Sequence, residues 1–582
     1  MKKNRRKHPA EQTTQPGPLA SVQQGFTLRP WHLLGGFTAA LLAALVSYAP
    51  ALRGPFLFDD VYLPFYLPGF GEQPLAAWLQ GLRPVLMFTF WANYRMSGVD
   101  PASYHFINVL IHSANAVLVF LIARRLICLS RIEEHRRNLL AAFAGALFLL
   151  HPLQTESVAY IASRSESLSG FFLLAAFSVF VYRAIPRISF PASFAVLTFF
   201  GLACLTKEHS AALPALLLLT DYFWNPGFSF HGIRRNWRLY VPLAAGAAAG
   251  GVFVMRVLMA SNTAGFSMQD LPWHHYFFTQ CRVIWIYIRA ALLPFGQNID
   301  YDVQISRSIT DGLAIVGLGG LLIITSAAWF YRRRLPLAAY GWLVFLVLLA
   351  PTSSVVPIRD VIAERRMYLP LMGLIFIAIE FLSRVRVTQR ALAGVLAGLL
   401  VVMGVLAWNR SRVWSGPIEL WEDTVAKSPD KARPHFQLAY AYYNANRCTD
   451  ALEHYEAASR LGPSEPALLI DWALALDCGN RPADALAKLE QAAALKKDAH
   501  VYSLIGMMHG KARRRDAALA ALDTAAQLDP SFEMTYVYRG NVYATSGEFD
   551  LAAGEYSRAL AINPANGLAR DGLEIARRRP KL

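Results

Sequence analysis

The run Leu33–Leu52, LLGGFTAALLAALVSYAPAL, followed six residues later by Phe58-Asp59-Asp60, decides how the rest of this chain is read. Twenty uncharged residues are the length a helix needs to cross a bilayer. Two adjacent carboxylates then sit just outside the crossing. Ionisable groups at such a position are costly to keep near hydrocarbon and read by default as functional. An Asp also caps a helix well, so Asp59 and Asp60 stand either as a site or as a cap.

Outward from that stretch, apolar runs of spanning or near-spanning length recur up to about Asn409 and stop after Trp414. With 55% apolar residues in 582, this composition excludes a large soluble enzyme and predicts an all-α chain in two parts. A polytopic membrane bundle over 31–410 follows a basic cytoplasmic segment over 1–30, and a water-soluble domain fills 411–582. The net charge of +16 would suggest nucleic acid in a soluble chain. Here Lys and Arg cluster in loops that the positive-inside rule assigns to the cytoplasm. Leu33–Leu52 is too long for a signal-peptide core and lacks a small-residue cleavage site, so it reads as an uncleaved first span.

The second span, Tyr104–Ile127, carries His105, Asn108, His112 and Asn115, whose offsets of three, four and three put them on one helical face. Such a stripe must face protein or a water-filled cavity, and helix–helix hydrogen bonding and cavity lining both fit it. Later spans are punctuated by His151-Pro152, Gln154-Thr155-Glu156, Arg164-x-Glu166 and Lys207-Glu208-His209. With the N-terminus inside, all of these fall on the side of Asp59. The segment 274–293 holds His274, His275, Gln280, Arg282 and Arg289, too many polar groups for a comfortable crossing. Read as interfacial, it leaves eleven spans and puts the Arg332–Arg334 and Arg384–Arg390 clusters inside. The aromatics of the 53–103 loop, Trp78, Phe88, Phe90, Trp91 and Tyr94, read as interfacial.

In the C-terminal part Ala451, Ala485, Ala518 and Ala552 recur at 34, 33 and 34 residues, with Tyr455, Leu489, Leu522 and Tyr556 in the same register. That is the tetratricopeptide period. Such helix pairs stack into a solenoid whose concave face binds an extended peptide. Of five cysteines, Cys448 and Cys478 lie near turns of adjacent repeats and stand as either a disulfide or two free thiols.

Taken in order, Phe58-Asp59-Asp60, Arg83-Pro84, Tyr104-His105…Asn108…His112, His151-Pro-x-x-Thr155-Glu156, Arg164-x-Glu166, Lys207-Glu208, Pro351-Thr352-Ser353 and Glu364-Arg365-Arg366-x-Tyr368-Leu-Pro370, followed by the repeats, resemble the TMTC family, membrane relatives of the protein O-mannosyltransferases. The resemblance runs over nearly the whole chain from about residue 33. It implies a glycosyltransferase of the GT-C fold with its site at the non-cytoplasmic face. The donor it implies is a polyprenyl-phosphate-linked monosaccharide, and the acceptor a protein Ser or Thr hydroxyl held by the repeats. The implied location is a bacterial inner membrane with periplasmic repeats, or an endoplasmic reticulum membrane with the repeats in the lumen. An inverting transfer needs a base for the acceptor hydroxyl; Asp59 is the candidate and Asp60 the alternative. Arg365 and Arg366 suit the donor phosphate because a guanidinium grips it through two donors, and Glu364 would orient one of them. Lys207 and Arg164 are further phosphate candidates, or else members of ion pairs. His105, Asn108, His112, His151, Glu156 and Glu208 are candidates for the acceptor or the cavity wall. No cofactor or metal is expected, and no nucleic acid. A GT-C enzyme acting on a glycan or lipid, or a non-enzymatic scaffold, are the alternatives.

Overall fold

A computed structural model describes residues 29–67, 69–260 and 264–578, so most of the basic segment 1–30 lies outside the described residues. Those residues are helical, with a single isolated bridge between Ala264 and Ile358. They divide between Glu419 and Leu420 into two compact units.

In the first unit each expected span coincides with a helix. Five are long and apolar enough to cross a membrane unaided: Pro30–Tyr48, Pro101–Leu129, Ile161–Val181, Asp311–Tyr331 and Gln389–Val413. Glu134–Leu150 and Pro152–Ala159 make a sixth if the pair, bent by 49°, is one span. The other expected spans are Phe190–Cys204, Leu213–Trp224, Trp237–Ala260, Pro336–Leu349 and Leu371–Ser383. Two of these are preceded by 3₁₀ turns that carry charged motifs, Glu208–Ala212 and Glu364–Met367. Caps follow the sequence. Asp100 accepts from Ala102 N–H ahead of Pro101, and Ser189 and Thr388 do the same for their helices. Gly341 and Gly373 let two helices touch: a Cβ on either would lie 2.4 or 2.5 Å from the other's carbonyl oxygen.

The helix Trp273–Leu292 meets loops on one side and packs on Ala314–Tyr331, where Trp285 Nε1 donates to Gly317 O (2.9 Å). Tyr276 Oη donates to Thr352 O (2.6 Å), Gln280 Nε2 to Val361 O (2.8 Å) and Arg282 Nη1 to Gln304 O (3.1 Å). In the 53–103 loop the interfacial expectation is corrected for Trp78 and Phe90, while Phe88 is 46% exposed and Trp91 and Tyr94 are partly exposed. Trp78 and Phe90 are fully buried and form a core with Phe65, Tyr104 and Ile161, while Pro84–Ser97 is a helix. Aromatic rings bury more area per side chain than any other residue, so a loop this rich in them packs a core of its own.

The second unit contains four helix pairs, Ala432–Asn444 with Cys448–Leu461, Pro466–Cys478 with Pro482–Leu495, Ala499–Lys511 with Arg515–Leu528, and Glu533–Thr545 with Phe549–Ile562, preceded by Pro417–Lys427 and followed by Gly567–Arg578. The repeating Ala451, Ala485, Ala518 and Ala552 are all fully buried, as the period requires. The turn within each pair has a left-handed residue, Asn446, Asn480, Arg513 or Gly547, again 34, 33 and 34 apart. Cys448 and Cys478 form a disulfide linking the first two pairs, with Cα atoms 5.9 Å apart.

Candidate active site

The turn Phe58–Tyr62 opens on Phe58 with φ +49°, a left-handed conformation that costs a bulky residue free energy. Packing supplies the compensation. The Phe58 ring meets Tyr160 edge-on at 5.7 Å and Trp414 at 6.3 Å, and Tyr160 stacks on Trp414 at 6.0 Å. Tyr160 Oη accepts the backbone N–H of Asp59 at 3.0 Å. Asp59 is thus fixed through its backbone, while its side chain is exposed.

Asp60 is the opposite case. It is 1% exposed, and its carboxylate accepts Leu57 N–H at 2.9 Å and Ala162 N–H at 2.7 Å. Burial pushes its pKa up to about 7 against those two donors. A value near neutrality suits a general base, but both oxygens are engaged and no hydroxyl reaches them while the turn is intact. Accessibility is the stricter requirement and separates the two acids: Asp60 holds the turn, and Asp59 is presented by it.

Three cations stand with acids in the same unit. Arg83, just before the helix Pro84–Ser97, makes a two-pronged pair with Glu208, both contacts 2.9 Å. Lys207 Nζ is paired with Glu166 and donates to Ser165 Oγ at 3.2 Å, with His209 3.5 Å from Glu166. Arg365 is paired with Glu156, which also accepts the Arg365 backbone N–H at 2.9 Å. Glu156 and Glu166 are 2% and 8% exposed, whereas Arg83, Lys207 and Arg365 are 39%, 18% and 29% exposed. Each cation therefore has an acid beside it and keeps donors toward solvent. Burial, opposed by Glu166, holds the Lys207 ammonium below its ordinary value, with Arg83 and Arg365 adding to the effect. Those mutual influences bring the three cations into one charged neighbourhood.

Other candidates are spent on structure. Arg164 is fully buried and donates to Asn108 Oδ1 and Asn93 Oδ1, each at 2.8 Å, and to Tyr104 O at 3.1 Å, with its guanidinium 4.4 Å above the Phe90 ring. It is a strut, not a phosphate ligand. Arg164→Ala leaves two buried side-chain acceptors, Asn93 Oδ1 and Asn108 Oδ1, unpaired, and about 2–5 kcal/mol of stability should go with them. A lowered Tm of the detergent-solubilised protein is the expected readout; an unchanged Tm with lost donor binding would return Arg164 to the site.

The stripe on the second span resolves toward hydrogen bonding. His105 bonds Gly54 O, Asn108 donates to Val158 O, His112 bonds Leu149 O and Tyr368 Oη, and Asn115 donates to Ser167 O. All four are buried, so His105, Asn108 and His112 line no cavity. His151, with Nε2 bonded to Ala291 O and Nδ1 accepting Leu153 N–H, ties down a helix end. Glu364 does not orient its arginine neighbours. It is buried against Asn298 N–H, Tyr301 Oη and Arg410. The carboxylate that positions Arg365 is Glu156, 209 residues away in sequence. Arg366 spends its donors on Tyr276 Oη and the carbonyls of Asp360 and Val361. Tyr160 and Trp414, which frame Asp59, went unnoticed in the sequence. The signal available was an aromatic lying between the Thr155-Glu156 and Arg164-x-Glu166 motifs. Among the described residues no three His, Cys, Asp or Glu side chains gather as a metal site would need.

Comparison with known proteins bears on both units. The tetratricopeptide repeat family matches residues 418–466, 436–500 and 504–567. Three curated relatives align across most of the chain. They are the protein O-mannosyl-transferase F38B6.6 of Caenorhabditis elegans (24% identical, 72% of this chain, 62% of the relative), Tmtc3 of Drosophila melanogaster (23%, 76% and 57%) and TMTC4 of Homo sapiens (24%, 73% and 66%). Over most of its length the chain is similar to TMTC proteins. It spans about three-fifths of the length of these relatives. Among solved structures, the tetratricopeptide-repeat protein YrrB is 20% identical over 31% of this chain and 89% of its own, with a TM-score of 0.24.

Proposed function

We propose that this chain is a TMTC family member and a membrane glycosyltransferase of the GT-C type. In this reading it transfers a monosaccharide from a polyprenyl-phosphate donor to Ser or Thr hydroxyls of exported proteins. The observation that carries the reading is an exposed carboxylate, Asp59, fixed through its backbone to Tyr160, which also has Arg365 of the Arg83, Lys207 and Arg365 cluster as an electrostatic neighbour. The names of the relatives as protein O-mannosyl-transferases support the reaction class.

The chemistry divides between those groups. Asp59 takes the proton of the acceptor hydroxyl as its oxygen attacks the anomeric carbon. The bond from that carbon to the donor phosphate oxygen breaks, and negative charge grows on the leaving phosphate. Arg365, Lys207 and Arg83 are already oriented by Glu156, Glu166 and Glu208, so they stabilise that charge without reorganising. Arg365, with its planar fork, is the principal phosphate ligand. The repeats hold the acceptor. The test is transfer by the purified chain from a polyprenyl-phosphate sugar to a Ser/Thr peptide; a labelled lipid or glycan in place of labelled peptide would contradict the reading.

The same reading puts the site and the repeats outside the cytoplasm, with the Arg332–Arg334 and Arg384–Arg390 clusters inside. The Cys448–Cys478 disulfide supports it, since such bonds persist in oxidising compartments. A reporter that works only in the cytoplasm, fused after Leu582, should be inactive, and strong activity would overturn this topology.

A further inference from the structure

The inner helices of the repeats carry a charge that nothing in the unit balances. Asp471, on Pro466–Cys478, is half-buried, accepts no hydrogen bond among the described residues, and is pushed up to about 6 by burial alone. Six residues along the same helix, Asp477 is paired with Lys511 of Ala499–Lys511. The groove thus supplies its own cation at one carboxylate and leaves the other without one. Beside Asp471 lie phenols from the preceding pair. Tyr455 is 0% exposed, and its hydroxyl has no hydrogen-bond partner. Its electrostatic neighbours are Asp471, Tyr440 and Tyr443, so the orphaned hydroxyl faces the same spot. Tyr443 in turn feels Asp471, Asp477 and Tyr440, and Tyr440 is 45% exposed.

Leaving a buried hydroxyl and a carboxylate unpaired is unfavourable. The carboxylate is satisfied by a group that brings several N–H donors and a positive charge, and the faces of Tyr440 and Tyr443 add cation–π attraction for the same group. An anionic or purely apolar ligand would leave it as it is. From this juxtaposition we propose that the tetratricopeptide groove takes a Lys or Arg side chain of an extended peptide beside Asp471, Tyr440 and Tyr443. Resting on the reading of the repeats as the acceptor-holding part, it makes the preferred acceptors basic at one fixed position.

The full-length, detergent-solubilised chain can be panned against a random dodecapeptide library, and the selected peptides remeasured as fluorescent probes. Wild type should enrich Lys or Arg at one position, and exchange of that residue for Gln should weaken binding by about tenfold or more, as expected for a charge-assisted hydrogen bond. Asp471→Asn, nearly isosteric and relieved of a strained charge, should keep its thermal stability but lose the basic preference. Acidic selected peptides, no selected peptides, or the same basic preference in Asp471→Asn would each overturn the proposal. Panning involves no sugar transfer, so a chain that selects basic peptides yet glycosylates none would count against the enzymatic reading alone.

Discussion

Asp59→Asn is expected to lower sugar transfer by about 10²–10⁴-fold, the usual worth of a general base, in a protein that still folds. Asn keeps the shape and the backbone N–H that Tyr160 Oη accepts, and the exposed side chain gives up no packing. Asp60→Ala makes the contrast. It strips Leu57 and Ala162 of their acceptor, so it should lower Tm and loosen the turn, with activity falling as a consequence. Measuring rate and melting temperature together separates the two roles. Near-normal transfer by Asp59→Asn would reduce Asp59 to a turn residue and remove the proposed base.

The second large effect belongs to Arg365. Arg365→Ala removes the leading phosphate ligand and leaves the buried carboxylate of Glu156 without its cation. Breaking a buried pair from one side typically costs about 3–5 kcal/mol, so both activity and stability should drop. Arg365→Lys isolates the recognition component. It keeps a charge opposite Glu156 but loses the planar fork, and the phosphate contact should weaken by about 1–3 kcal/mol. That outcome reads as a raised KM for the donor with Tm little changed. An enzyme indifferent to either change at limiting donor would take Arg365 out of the site.

The repeats were legible because their signal is local. Ala451, Tyr455 and Ala458 recur with a fixed period, and that period dictates which faces are buried. The spans were legible for a similar reason, since hydrocarbon length sets helix length. The site was legible only in part. Asp59, Arg365 and Lys207 stood out through their motifs, whereas Arg83 was part of a motif with no role assigned, and the partners of all four are set by tertiary packing. Glu156 lies 209 residues from Arg365 and Glu208 lies 125 residues from Arg83, and no spacing rule reaches that far. The same limit explains Arg164 and Glu364. A motif shows that a charged residue is present, yet only the fold shows whether its donors are turned to solvent or consumed by Asn93, Asn108 and Tyr104. The stripe His105–Asn115 turned to hydrogen bonding because its polar atoms meet carbonyls of other segments and the Tyr368 hydroxyl, which helical periodicity does not reveal.

The central claim is that this chain places a sugar on protein hydroxyls through Asp59. Its most direct test is peptide mass spectrometry of exported proteins from cells lacking the chain and from the same cells given back either wild type or Asp59→Asn. Ser and Thr residues carrying one added monosaccharide mass should be present with wild type and absent from the other two. An identical set of modified peptides in all three would contradict the account.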